Sequence, residues 1–234
     1  MFFPYRIDTL FKYWPVANWL IMACAIVMFF ISPAMSDDTF GALVLGGTSA
    51  VGLITHLFLH GGIVHLAGNL LFLWVFGNAV CAMTNNFAYI LIFAGFGVVA
   101  AAAHMAFDGT PAIGASGAIN GIVGMALAMY PINRVSVFWF VLIRAGTFEI
   151  PLWILAIVWF AFDAYGALTG ANGVAYWAHV GGFISGVSLG TVGLKLRWLT
   201  LTEYDHASLA DLLTRRREDP LERRKRLRAE ILRD

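Results

Sequence analysis

Apolar runs of about twenty residues recur along this chain between short polar breaks, and that recurrence restricts its fold more than any motif does. Wound as a helix, a run of that length matches the ~30 Å hydrocarbon core of a bilayer. The runs fall at about Val16–Ile31, His60–Val80, Phe87–Phe107, Ser116–Tyr130, Ile150–Leu168 and Val174–Leu194. Pro33 with Asp37-Asp38, then Asn85-Asn86, Asp108-Gly109-Thr110-Pro111, Pro131 and Asn172-Gly173 punctuate them. With 60% hydrophobic and 12% charged residues and a mean hydropathy of +0.77, the chain carries more apolar surface than a soluble domain of its length can bury. The predicted fold is an all-α membrane protein, a bundle of six transmembrane helices.

Basic residues orient that bundle. Six spans with both ends on one side put all fifteen Lys and Arg there: Arg6, Lys12, Arg134, Arg144 and those from Lys195 on. The positive-inside bias makes it the cytoplasmic side. The expected organisation is an interfacial N-terminus over 1–14, a membrane domain over 15–197 and a charged cytoplasmic tail over 198–234. Nine of the fifteen basic residues lie between Arg215 and Arg233, interleaved with Glu218, Asp219, Glu222 and Glu230. Such mixed charge argues for a lipid surface rather than nucleic acid as the tail's partner. Leu209, Leu212, Leu213, Leu221, Leu227 and Ile231 are spaced for an amphipathic tail helix. Residues 36–55 are expected as a loop partly in the interface. Val135 to Ile143 is too short to span alone.

Polar groups inside a bilayer are costly and mark function by default. Ser116 stands in Gly114-Ala115-Ser116-Gly117-Ala118 at the mouth of the fourth span. Taken alone, a serine among glycines in lipid is more often a packing contact than a nucleophile. His65 and Asn69, four apart, share one face of the second helix. His179 lies about 8 Å along the sixth helix at 1.5 Å per residue, a depth similar to that of Ser116. Gly182 and Gly186 follow it as a small-xxx-small pair that admits a close neighbour. If that neighbour is the fourth helix, with Gly117, Gly121 and Gly124, imidazole meets hydroxyl as a nucleophile meets its base. The simpler expectation is a two-residue dyad without Asp163, the one nearby acid in a span. His56, His60 and His65 lack an acidic or cysteine co-ligand, so neither metal nor cofactor is expected. Polar residues confined to the outer third, over an apolar inner half, disfavour a channel or transporter.

These residues resemble the rhomboid family of intramembrane serine proteases. The likeness rests on His60 with His65-Leu66-Ala67-Gly68-Asn69, on Gly114-Ala115-Ser116-Gly117-Ala118, and on Ala178-His179-Val180-Gly181-Gly182 with Gly186. It covers about Thr55 to Leu194. It implies Ser116 as nucleophile, His179 as base, and an oxyanion hole of His65, Asn69 and the Ser116 backbone N–H. His60 is implied as structural, ordering the loop above the second helix. The implied activity is hydrolysis of peptide bonds in or near transmembrane segments of membrane-protein substrates. A bacterial inner membrane, with the site toward its outer face, is the implied setting. The alternative is a non-proteolytic relative that binds membrane helices. Three positions depart from the family's habit. Asn120 replaces an aromatic four residues after the serine, and is expected to hydrogen-bond the His179 ring or a cavity water. Cys81-Ala82-Met83-Thr84-Asn85 stands where many relatives have Glu-Xaa-Xaa-Xaa-Gly. The Trp-Arg pair of some members' first loop is missing.

Overall fold

A computed structural model describes residues 2–141, 144–171, 173–202, 205 and 207–214. Helices dominate: α1 (Val16–Ile31), α2 (Asp37–Leu43), α3 (Gly52–Thr55), α4 (Ile63–Phe72), α5 (Asn78–Thr84), α6 (Asn86–Phe107), α7 (Ser116–Met129), α8 (Leu152–Thr169), α9 (Tyr176–Lys195) and α10 (Leu209–Thr214). A π-helical turn at Leu73–Gly77 joins α4 to α5, making one unbroken apolar rod, Ile63–Thr84. Four stretches among the described residues are long and apolar enough to cross a bilayer: Val16–Ala34, Ile63–Thr84, Asn86–Phe107 and Leu152–Thr169. Two of the six expected spans fall outside that group. The apolar helix α7 has only 14 residues, about 21 Å. Helix α9 has 20 residues but is diluted by five glycines among them.

Small side chains explain why α7 stands at the centre. From Gly117 to Met129 every residue except Asn120 is buried. Glycines on both faces let neighbouring backbones approach: a Cβ on Gly117 would meet Ala100 of α6 at 2.7 Å and Ala178 of α9 at 3.2 Å. On α9, a Cβ at Gly182 would land on the Gly117 carbonyl oxygen, and one at Gly186 on the Gly121 carbonyl oxygen. The expected pairing of the serine-bearing and histidine-bearing helices through their glycines is the tightest packing in the bundle. It works without a hydrophobic drive, through van der Waals contact of exposed backbone.

The all-α expectation needs one correction. Strands β1 (Phe2–Ile7), β2 (Arg134–Val141) and β3 (Arg144–Pro151) form an antiparallel sheet in the order β1-β2-β3. Phe3 lies opposite Phe138, and Val137 opposite Phe148. Period-two alternation in Arg134-Val135-Ser136-Val137 buries the two valines and turns the others out. The apolar stretch after Arg134 is therefore one strand of a hairpin. The sheet caps the end of the bundle where α1 begins, α7 ends and α8 begins. Thr9 there donates to Asp205 at 2.8 Å, and Asn133 Nδ2 donates to the Asp8 carbonyl at 2.7 Å. The start of the chain and the post-α9 segment thus meet at one end. Of the expected tail helix, Leu209–Thr214 is helical, and Leu221, Leu227 and Ile231 lie outside the described residues.

The supposedly apolar inner half also carries a polar knot. Asn18 Nδ2 donates to the Leu73 carbonyl and to Asn78 Oδ1, both at 2.8 Å, while Tyr89 donates to Asn18 Oδ1 at 2.7 Å. In the π-turn the Leu73 carbonyl accepts from the Asn78 N–H, five residues on, and Asn18 adds a second donor to the same oxygen. These groups satisfy one another, so the knot staples α1, α5 and α6 rather than lining a path.

The expected interfacial loop is folded too. Ser36 caps α2 by accepting from Thr39 N–H, and Asp37 and Asp38 sit in its positive first turn. Leu45 and Ala112 then exchange both backbone hydrogen bonds at 3.1 Å, tying this loop to the segment before Ser116. That bridge anchors the loop without the Trp-Arg pair.

Candidate active site

The approach to Ser116 is fixed before the helix starts. Gly114 N–H donates to the His56 carbonyl at 2.8 Å, and the His56 ring Nδ1 is held against the Gly52 carbonyl at 2.7 Å. Gly114 has φ +116, a conformation side-chain-bearing residues rarely adopt. A Cβ there would also meet His65 Cε1 and Nε2 at 2.7 Å and Asn69 Nδ2 at 3.8 Å. Glycine at 114 therefore lets the chain pass directly beneath those two side chains. Two residues later Ser116 begins α7, where first-turn N–H groups have no acceptor inside the helix.

Across the α7–α9 interface, His179 Nε2 lies 2.8 Å from Ser116 Oγ. The ring's other nitrogen, Nδ1, lies 2.9 Å from Asp163 Oδ1 on α8. This corrects the expectation that left Asp163 out: the acid reaches the imidazole. An ionised carboxylate only accepts, so an ionised Asp163 beside a neutral ring would draw the ring proton to Nδ1 and leave Nε2 to accept from the serine hydroxyl. Side-chain exposures of 12% for His179 and 17% for Asp163 leave both groups partly open to the exterior. Tyr176, one turn before His179, stands edge-on to its ring at 6.2 Å.

Asn69 is 7% exposed, and its Nδ2 has no hydrogen-bond partner among the described residues. A buried donor left unpaired costs roughly 1–3 kcal/mol. Together with His65 it flanks Gly114, on the side of Ser116 where developing negative charge could be held. His60 packs edge-on against His65, with centroids 5.1 Å apart, and its Nδ1 lies 3.2 Å from the Phe58 carbonyl. Burial, then the neighbouring His65, lowers the His60 pKa to about 4. His60 is thus a ring that stays neutral near pH 7 and packs against His65.

Asn120 does something other than expected. Its Nδ2 donates to the Ser116 carbonyl at 3.1 Å, a local bond four residues back along its own helix. Sequence reasoning overlooked Tyr176, although its three-residue spacing from His179 was a usable signal. It also passed over Asp163, whose partner lies on a separate helix. At the other departure, Asn85 adopts φ +66 and ψ 163, and its side chain accepts from Ala88 N–H to cap α6. Next to it Asn86 accepts from Ala17 N–H at 2.7 Å and donates to the Trp14 carbonyl at 3.1 Å. The end of α5 is secured by amides in place of the family's usual pair.

The chain is similar to known proteins. The family model described as "Rhomboid domain" matches residues 47–196. "Rhomboid protease GluP" of Bacillus subtilis is 34% identical over 130 residues, 51% of this chain and 26% of that protein. "Rhomboid protein 1, mitochondrial" of Saccharomyces cerevisiae is 27% identical over 153 residues, 61% of this chain and 42% of its own length. "Putative rhomboid protease YdcA" of Bacillus subtilis is 29% identical over 131 residues, covering 52% of this chain and 66% of the relative. The chain thus spans about a quarter to two-fifths of the first two relatives. The match runs from the loop before α3 through the end of α9, so it takes in the glycine-packed helices and every polar group gathered around Ser116. With a model match across well over half its length and several membrane-long apolar helices, this integral, multi-pass membrane protein belongs to the rhomboid family.

Proposed function

We propose that this protein is an intramembrane serine protease in which His179 activates Ser116. The single observation that carries the reading is the 2.8 Å approach of His179 Nε2 to Ser116 Oγ. In the attack, the serine proton passes to Nε2 as Oγ bonds to the carbonyl carbon, and the carbonyl π pair moves onto oxygen. Donors from His65, Asn69 and the Ser116 backbone N–H hold that oxyanion. Collapse breaks the C–N bond, and Nε2 returns the proton to the leaving amine. Water repeats the cycle on the acyl-serine and frees the enzyme.

The substrates are membrane proteins with a transmembrane helix that unwinds near its outer end, since a helical peptide bond is shielded by its own hydrogen bonds. Helix α7, about 21 Å long, is shorter than the ~30 Å core, which favours a Ser116 lying below the membrane surface, where hydrolysis requires water to reach it. The basic residues favour six crossings, both ends inside and the site toward the outer face of a bacterial inner membrane. Cleavage of a single-span model substrate by the wild type, and its loss in Ser116→Ala and His179→Ala with the fold intact, tests the proposal. A fluorophosphonate should label Ser116. A wild type that binds the substrate helix without cutting it would leave a non-proteolytic binder instead.

A further inference from the structure

Helix α8 is largely apolar from Leu152 to Thr169, and Asp163 is its one carboxylate, with no Lys, Arg or His beside it in the helix. A carboxylate at that depth is expensive unless it has a partner, and the partner it finds is the ring nitrogen of His179. Three rungs join α8 to α9, and this is the middle one. Phe160 stacks on Phe183 with centroids 4.6 Å apart. Asp163 meets His179. Gly166 lies against the Tyr176 ring, which a Cβ would strike at 2.6 Å. Among the residues of α8, only Leu152, Ala156, Gly166 and Ala167 are buried, so the helix is peripheral and this ladder is its main registration on α9 near the site.

We propose that Asp163 is a positioning residue that completes a Ser116–His179–Asp163 relay and makes the state of the base depend on how α8 is docked. The inference rests on the reading of Ser116 and His179 as nucleophile and base. Its physical content is tautomeric. A neutral imidazole carries one N–H, and only the Nδ1–H form leaves Nε2 free to accept the serine proton. Asp163 accepts from Nδ1–H and holds that form, and it stabilises the imidazolium that appears in the attack. No proton moves to the carboxylate. Without the acid, the proton can reside on Nε2, where it faces the serine and blocks the base. Because Asp163 rides on α8, a displacement of that helix withdraws the acceptor while leaving Ser116 and His179 on their own glycine-packed helices.

Asp163→Ala, Asp163→Asn and Asp163→Glu, made in the full chain, separate this role from a plain interhelical contact. Two readouts are taken: turnover of a single-span substrate, and the ¹⁵N resonances of His179 in histidine-labelled protein in micelles, assigned with His179→Gln. Loss of the acid of a buried triad lowers kcat by about 10⁴. For this partly open site kcat should fall at least tenfold in the Ala and Asn variants with KM within about twofold, and Glu should recover part of the loss. The wild type and Ser116→Ala should show protonated Nδ1, and the Ala and Asn variants should shift toward protonated Nε2. An unchanged His179 spectrum in Asp163→Ala, or wild-type kcat in both the Ala and Asn variants, overturns the proposal. The ring spectrum does not depend on turnover. If Ser116→Ala still cuts, the protease reading fails while Asp163 is still tested, and if only the Asp163 variants behave as wild type, the reverse holds.

Discussion

Gly182 of α9 faces Gly117 of α7 so closely that a Cβ on Gly182 would fall on the Gly117 carbonyl oxygen. That contact lies one residue beyond Ser116 and three beyond His179, so it sets the spacing across which hydroxyl and imidazole meet.

Gly182→Ala should therefore damage stability and chemistry together. Overpacking of a tight interface costs about 1–3 kcal/mol, and here the clash is with backbone, which cannot rotate away. A lowered thermal midpoint in detergent and a large drop in cleavage are expected, with Gly182→Val worse. Near-normal turnover by the valine variant would show that the interhelical distance does not govern the pair.

Asn69→Ala separates the two effects. Its Nδ2 is buried without a partner among the described residues, so removing it forfeits little folding energy. As a lost oxyanion donor it should cost about 10²–10³ in kcat, or ~2.7–4 kcal/mol of barrier. A melting curve that collapses while single-turnover rates hold would make Asn69 a packing residue.

Asn85→Gly should make the protein more stable. Its φ of +66 with ψ 163 belongs to a region nearly reserved for glycine, where strain is on the order of 1–3 kcal/mol. Glycine loses only a few tenths of a kcal/mol as a cap. A net gain of about 1 kcal/mol is expected, whereas Asn85→Ala keeps the strain and discards the cap. Thermal unfolding of the three proteins in one detergent decides this, with an Asn85→Gly midpoint below wild type as the adverse result.

Acid should destabilise the fold through His60. Its folded pKa of about 4 lies below the ordinary 6.5, so between those values the unfolded chain binds a proton that the folded one refuses. Stability contributed by the neutral ring is full above about pH 6.5 and falls as pH drops toward 4. Midpoints measured from pH 7 to 4.5 should decline less steeply in His60→Gln than in wild type.

Run lengths along the chain dictated that it would be a membrane bundle, because burying backbone in lipid requires helices of a set length. The spacing of His65 with Asn69, and of His179 with Gly182 and Gly186, was likewise legible, since residues four apart share a helix face whatever surrounds them. The Val135-Ser136-Val137 alternation was there to read, yet a strand has no meaning without a partner, and β1 and β3 supply it from 130 residues upstream and a hairpin downstream. Asn120 could not be assigned from its place one turn after Ser116, because its amide had a carbonyl of its own helix to choose as well as the histidine. Asp163 shows the limit most clearly. Sequence gave only an acid in an apolar helix. Whether it met lipid, water or the imidazole depended on the rotation and register of α8 against α9, and those are set by the Phe160–Phe183 stack and the Gly166–Tyr176 contact, which exist only once the two helices are packed.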